Sequence, residues 1–270
     1  MSGVNCLFVH GWGMNHRVWQ PLIELMPAWV ECHAIDLPGH GLRHAETLSS
    51  LEQLSEDLRK HCAQLRKSHK PLVVVGWSLG AQGCLQLAKE LSDETSNNES
   101  SPDALLLVSG TPCFVAKENW SAGVDANVFE QFAESLKVDF SGTIRRFLSL
   151  QVKGSESGRK ILRGLREKIL QQAKPDSQSL DAGLNILKHT DLRNALASIH
   201  LPVSWVLGAQ DGLIKVTLAD ELKTLMPTAD VCVYSKAGHA PFLSNTDEFA
   251  QHLLTFIQDA VNNTSTTQAK

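Results

Sequence analysis

Leu72-Val73-Val74-Val75 runs straight into Gly76-Trp77-Ser78-Leu79-Gly80, and Ala81–Leu91 follows with the composition of a helix. A buried strand, a G-x-S-x-G turn and a helix in that order constrain the backbone severely. The chain must pass from strand to helix through a sharp, strained turn that exposes the serine at its apex. Gly76 and Gly80 lack a Cβ, so strand and helix can pack closely on either side. Ser78 is therefore expected at the top of a sheet, at the N-terminus of a helix. A glycine-rich turn after a strand can also be only a turn. The flanking strand and helix favour a nucleophile.

The rest of the chain supplies such a sheet. Val4–His10, Val30–Asp36, Leu72–Gly76, Ala104–Ser109, Val203–Gly208 and Asp230–Ser235 read as short apolar strands. Trp19–Met26, Leu51–Arg66, Ala81–Leu91, Val216–Leu225 and Asp247–Val261 read as helices between and after them. Alternation of this kind, with near-continuous apolar strands, predicts an α/β fold with a mostly parallel sheet covered on both faces. Between about Pro112 and His189 the alternation breaks into helical periodicity without strand candidates. The expected organisation is a first core part at 1–111, an inserted helical cap at 112–190, a second core part at 191–261 and a disordered tail at 262–270. Ser92–Pro102 reads as a polar surface loop.

Composition narrows the function classes. In 270 residues, 43% are hydrophobic and 20% charged, enough for a sizeable core. No run of about 18 apolar residues suggests a membrane helix, and the N-terminal residues lack the basic and cleavage features of a signal peptide. Six cysteines without a C-x-x-C pair read as reduced thiols of a cytoplasmic protein. The Asn-x-Ser/Thr matches at Asn98, Asn262 and Asn263 then mark only polar chain. No H-E-x-x-H or similar spacing suggests a metal, and no G-x-G-x-x-G suggests a dinucleotide, so no cofactor is expected.

A serine hydroxyl needs a base, and the base an orienting acid. Asp211 lies in Gly208-Ala209-Gln210-Asp211-Gly212, just past the fifth predicted strand. His239 lies in Ala237-Gly238-His239-Ala240-Pro241-Phe242, just past the sixth. Both fall beyond the carboxyl ends of strands, where parallel sheets form sites. Each alone could be an ordinary loop residue; together with Ser78 they make a Ser-Asp-His set. Asp36 reads instead as part of a turn, Asp36-Leu37-Pro38-Gly39-His40-Gly41, and Asp103 precedes its strand. For the oxyanion, the expected backbone donors are Leu79, after the nucleophile, and Trp12 in His10-Gly11-Trp12-Gly13, after the first strand. The chemistry predicted is ester hydrolysis through an acyl-enzyme.

The cap carries a charge signal. Between Lys137 and Lys174 stand ten basic and three acidic residues, a window of +7 in a chain of −4, which leaves −11 elsewhere. Arg159, Arg163 and Arg166 share one helical face, and Ile161, Leu162, Leu165 and Ile169 another. A solvated face is the ordinary reading, but the excess of cations favours an acidic partner. Nucleic acid is not expected from an acidic chain without a nucleic-acid module.

These residues resemble the pimeloyl-[acyl-carrier protein] methyl ester esterases of bacterial biotin synthesis, members of the α/β-hydrolase superfamily. The similarity runs from about Val4 to Ile257. It rests on His10–Gly13, Asp36–Gly39, Gly76–Gly80, Pro112–Phe114, Phe147–Gln151, Asp191–Arg193, Asp211–Leu213 and His239–Phe242. The resemblance implies an α/β-hydrolase fold and cleavage of a carrier-bound methyl ester to release methanol. It implies substrate contacts at Trp12, Ser78, Leu79, Phe147, Leu148, Ser149, Leu150, Gln151 and His239. It further implies acyl-carrier-protein contacts at Arg146, Arg159 and Arg163. A monomer is expected. Gly142 departs from the family, which has a further arginine there. The Ser92–Ser101 loop reads as an insertion, and the family's leading strands are expected to be short or missing. A general short-chain carboxylesterase, a menaquinone-pathway relative and an idle fold serving as a ligand receptor are the alternatives.

Overall fold

The computed structural model describes residues 3–94, 100–152, 158–164 and 175–267. Six strands form one sheet in the order β2-β1-β3-β4-β5-β6: β1 Val4–Val9, β2 Val30–Ile35, β3 Leu72–Trp77, β4 Ala104–Val108, β5 Val203–Gly208 and β6 Asp230–Tyr234. Every pairing is parallel, where the sequence suggested a mostly parallel sheet. The central strands β1, β3, β4 and β5 are buried along their whole length, as their apolar runs, broken only by Asn5 and Ser204, require. The edge strands β2 and β6 carry Glu31, His33 and Asp230 and are only partly buried.

The helices cover both faces. Leu51–Arg66 and Leu79–Asp93 pack side by side on one face, and Gln20–Ile23 and Thr246–Thr267 on the other. Right-handed crossovers dictate this, because the strand order runs one way from β1 to β2 and the other way from β3 onward. The reversal falls between β1 and β3. Crevices for ligands open at such a point, beyond the carboxyl ends of the strands.

Two differences from expectation have simple causes. The segment read as one helix over Trp19–Met26 is a 3-10 turn, His16–Trp19, followed by one helical turn, Gln20–Ile23, with Pro21 at its start. The last helix runs on to Thr267, past the Val261 at which a disordered tail was expected; residues 268–270 lie outside those described.

Between β4 and β5 stand the helices Ala126–Val138, Phe140–Gln151 and Ser177–His189, with helical residues at 158–164. The start of this insertion is not helical. Val115 bridges Val124, Lys117 bridges Trp120, and the Trp120 indole donates to Cys113 O at 2.7 Å. The two ends of the insertion meet, since Leu192 N–H donates to Pro112 O at 2.8 Å. Among the described residues, no helix is long and apolar enough to cross a membrane.

Candidate active site

Ser78 stands between β3 and the Leu79–Asp93 helix with φ 55° and ψ −113°. That backbone region costs a non-glycine residue about 1–3 kcal/mol and persists only where the surroundings enforce it. Here they do. Ser78 N–H donates to Val108 O of β4 at 3.0 Å, and Gln82 N–H donates to Ser78 O at 3.2 Å. The two glycines allow the approach. A Cβ on Gly76 would lie 2.9 Å from Ala81 Cα, and one on Gly80 2.6 Å from the Val9 and His10 carbonyls.

Asp211 and His239 come from the loops after β5 and β6. These loops cross at Gly208, where a Cβ would overlap the Gly238 carbonyl. Ala209 N–H donates to Tyr234 O and Gln210 N–H to Ala237 O, each at 2.9 Å, which stitches the loops together. The result is a buried pair, with His239 Nδ1 donating to Asp211 Oδ2 at 2.7 Å. Asp211 Oδ1 accepts from Leu213 N–H at 2.7 Å and Ile214 N–H at 3.0 Å. Those backbone donors fix the carboxylate, and the carboxylate fixes the ring with its proton on Nδ1. Nε2 is left with a free lone pair, buried and without a partner among the described residues. The Trp77 indole donates to His239 O at 2.8 Å, anchoring the histidine loop to the residue before Ser78. Asp36 is engaged elsewhere: it accepts from His16 N–H, Leu42 N–H and the His16 ring. Asp103 pairs with Arg66 and accepts from Leu72 N–H.

The loop after β1 lies against the elbow, where a Cβ on Gly11 would stand 3.1 Å from Ser78 Cβ. Among the described residues, no acceptor takes the Trp12 or Leu79 N–H. A cap helix, Ser177–His189, clamps this loop in a way the sequence did not signal. Leu180 O accepts from the Trp12 indole at 2.8 Å, and a Cβ on Gly183 would lie 2.6 Å from Trp12 Cδ1 and 3.3 Å from Leu79 Cδ2. Gly183→Ala is therefore expected to displace the indole and lower kcat on a short-chain ester by roughly tenfold, since small misplacements in a site are costly. Helix propensity favours alanine by about 1 kcal/mol. Thermal melting should accordingly show little loss of stability, which separates displacement from unfolding.

Beside Ser78 lies a cavity of about 140 Å³, walled by Trp12, Phe114, Phe129, Phe132, Phe147, Leu150, Leu184, Leu187 and Leu213. That is close to the size of an apolar cavity that admits benzene, room for a short stretch of alkyl chain. Phe132 and Phe147 meet Trp12 edge to face at 5.7 and 5.6 Å. The Phe147–Gln151 segment divides its tasks. Phe147 and Leu150 line the cavity, while Leu148 is buried elsewhere and Ser149 is exposed. Gln151 O accepts from Ala240 N–H at 2.8 Å, tying the cap to the residue after His239. The aromatic walls at Phe129 and Phe132 were legible only as apolar positions of a helix.

Arg146, Arg159 and Arg163 are exposed on the cap, with Leu162 buried and Ile161 half-buried on the opposite face of 158–164. Lys153, Arg166, Lys168 and Lys174, and the apolar Leu165 and Ile169, lie outside the described residues. At Gly142, an added Cβ would overlap the Asp139 carboxylate, which caps this helix by accepting from Gly142 N–H at 2.9 Å. The missing family arginine thus coincides with a tight cap. Among the described residues, no cluster of three or more His, Cys, Asp or Glu is placed to hold a metal.

A match to the alpha/beta hydrolase family spans residues 6–252. The chain belongs to that family. This hydrolase is 36% identical over 259 residues to the pimeloyl-[acyl-carrier protein] methyl ester esterase of Vibrio parahaemolyticus, covering 96% of each chain. It is 34% identical over 258 residues to the enzyme of the same name from Aliivibrio salmonicida, covering 95% of the hydrolase and 93% of the relative. Solved structures repeat its fold at lower identity. An esterase from Exiguobacterium antarcticum superposes with a TM-score of 0.82 at 18% identity, over 95% of this hydrolase and 92% of that chain. A bromoperoxidase from Bacillus anthracis gives 0.83 at 17%, over the same shares.

Proposed function

We propose that this hydrolase is a serine carboxylesterase that cleaves the methyl ester of pimeloyl-[acyl-carrier protein], releasing methanol and pimeloyl-[acyl-carrier protein] in biotin biosynthesis. The observation that carries the reading is the buried Asp211–His239 pair beside the Ser78 elbow. It occurs in a chain that matches esterases of this name along almost its whole length.

In the proposed mechanism, His239 Nε2 takes the Ser78 proton as Oγ attacks the ester carbonyl. The Trp12 and Leu79 N–H groups hold the oxyanion. The tetrahedral intermediate collapses, His239 protonates the departing methoxide, and methanol leaves. Water then gives its proton to His239, attacks the acyl-enzyme and frees Ser78, leaving a carboxylate at the end of the acyl chain. Atoms balance without a metal or redox group. The apolar walls at Phe147 and Leu150 suit the alkyl chain behind the ester, with Leu148, Ser149 and Gln151 completing that segment. The protein acts as a cytoplasmic monomer in this reading.

Arg146, Arg159 and Arg163 supply the surface for the carrier, whose acidic character complements the basic cap. Reversing two of these charges tests both parts. At low salt, Arg159→Glu with Arg163→Glu is expected to lower kcat/KM for the carrier-bound methyl pimeloyl thioester by about tenfold or more, an effect that added salt erodes. Turnover of free short-chain esters should stay within about twofold of the parent enzyme, because these charges lie away from Ser78. Unchanged carrier-bound turnover removes the docking surface. A parent enzyme that prefers free short-chain esters, or that does not restore growth to a biotin auxotroph lacking this esterase, is a general carboxylesterase.

A further inference from the structure

Two buried imidazoles that the reaction does not use bond the residues before and after Trp12. His10 and His40 are fully buried, with ring centroids 5.4 Å apart. On one flank of Trp12, His10 Nδ1 lies 2.8 Å from Gly11 O, while its Nε2 accepts from Leu37 N–H at 3.0 Å. On the other flank, His40 Nε2 accepts from Gly13 N–H at 3.3 Å, while its Nδ1 lies 3.0 Å from Pro38 O. Each ring therefore has one nitrogen taking a backbone N–H and the other facing a carbonyl. A nitrogen that accepts carries no proton, so both rings are neutral with the proton on Nδ1.

We propose that His40 and His10 are positioning residues that hold the oxyanion loop at the residues before and after Trp12 and aim the Trp12 N–H at the reacting carbonyl. The inference rests on the proposed roles of Ser78 and Trp12. The turn that presents His40 is itself pinned. Asp36 accepts from Leu42 N–H at 2.8 Å, and a Cβ on Gly41 would overlap its carboxylate. Asp176, at the start of the Ser177–His189 helix, donates its N–H to Gly39 O at 2.8 Å. The same cap helix holds the Trp12 indole through Leu180 O. Backbone and side chain of Trp12 are thus held by separate contacts that share one cap helix. Burial lowers the His10 pKa to about 3, with the His40 ring adding to the effect and Asp36 opposing it. Burial lowers His40 as well, against Asp36 and Asp176. Both shifts agree with neutral rings.

The variants His40→Gln and His40→Leu separate positioning from packing. A glutamine Oε1 can replace Nε2 as the acceptor for Gly13 N–H; leucine cannot. With a free short-chain ester, His40→Leu is expected to lower kcat by about 10–100-fold, less than the ~10²–10³ of losing a donor outright, because the Trp12 N–H is only misdirected. KM should stay within about twofold, and a trifluoromethyl ketone that mimics the tetrahedral adduct should weaken in step with kcat. His40→Gln should recover most of kcat. Equal losses in both variants that follow their melting temperatures, or no loss in His40→Leu, overturn the inference. If His40→Leu does not fold, His10→Asn against His10→Leu makes the same comparison at Gly11 O. Failure of a fluorophosphonate to label Ser78 in the parent enzyme overturns the proposed function instead, and this inference with it.

Discussion

Ser78→Ala is expected to abolish turnover, with a loss on the order of 10⁵–10⁶ in kcat. The side chain loses only its oxygen. Alanine keeps the Cβ, so the left-handed backbone at φ 55° and the bond from Ser78 N–H to Val108 O are unaffected. Circular dichroism and melting temperature should therefore match the parent protein. The loss is large because no other group can form the acyl-enzyme, and the remaining oxyanion donors assist only the slow direct attack of water. A fluorophosphonate should label the parent chain at Ser78 and leave the variant untouched. A parent chain that resists labelling is a ligand-binding fold, not an esterase.

Asp211→Asn is expected to cost about 10⁴ in kcat with little change in KM. The reason lies in how the carboxylate is held. Leu213 N–H and Ile214 N–H donate to Oδ1, so an asparagine would keep its carbonyl oxygen there. Its NH₂ would then face His239 Nδ1 in place of the acceptor Oδ2. The ring must respond by moving its proton to Nε2, and the base disappears without any change of shape. Steady-state kinetics with a short-chain ester measure this directly. A loss smaller than about tenfold means that Asp211 does not orient the base. Asp36 cannot take over, since its oxygens are committed to His16 and Leu42.

Much of this architecture is legible in the amino-acid sequence. The strands are readable because β1, β3, β4 and β5 are buried on both faces and so carry near-continuous apolar runs. Leu51–Arg66 was readable to the residue because Ser50 caps its start, accepting from Gln53 N–H. Candidate triad residues could be named because strand ends mark where a parallel sheet builds its sites. The Trp19 segment was less legible, since a 3-10 turn and a single helical turn share the periodicity of one helix. Residues 113–124 were misread as helical because their pairing comes from two isolated bridges and the Trp120 side chain.

Runs of consecutive residues already specify the sheet, the strained elbow at Ser78 and which residues stand at the strand ends. Those features are local: strand periodicity, two glycines and a turn are written in consecutive residues. The crossing of the Asp211 and His239 loops at Gly208, the clamp of Leu180 O and Gly183 on Trp12, and the bonds of His10 to Leu37 N–H and of His40 to Gly13 N–H arise only in the folded chain. These are contacts between segments distant in the chain. A single buried histidine or helical glycine has no pattern of its own, and its role appears only when the fold sets an unpaired backbone group or a close neighbour against it.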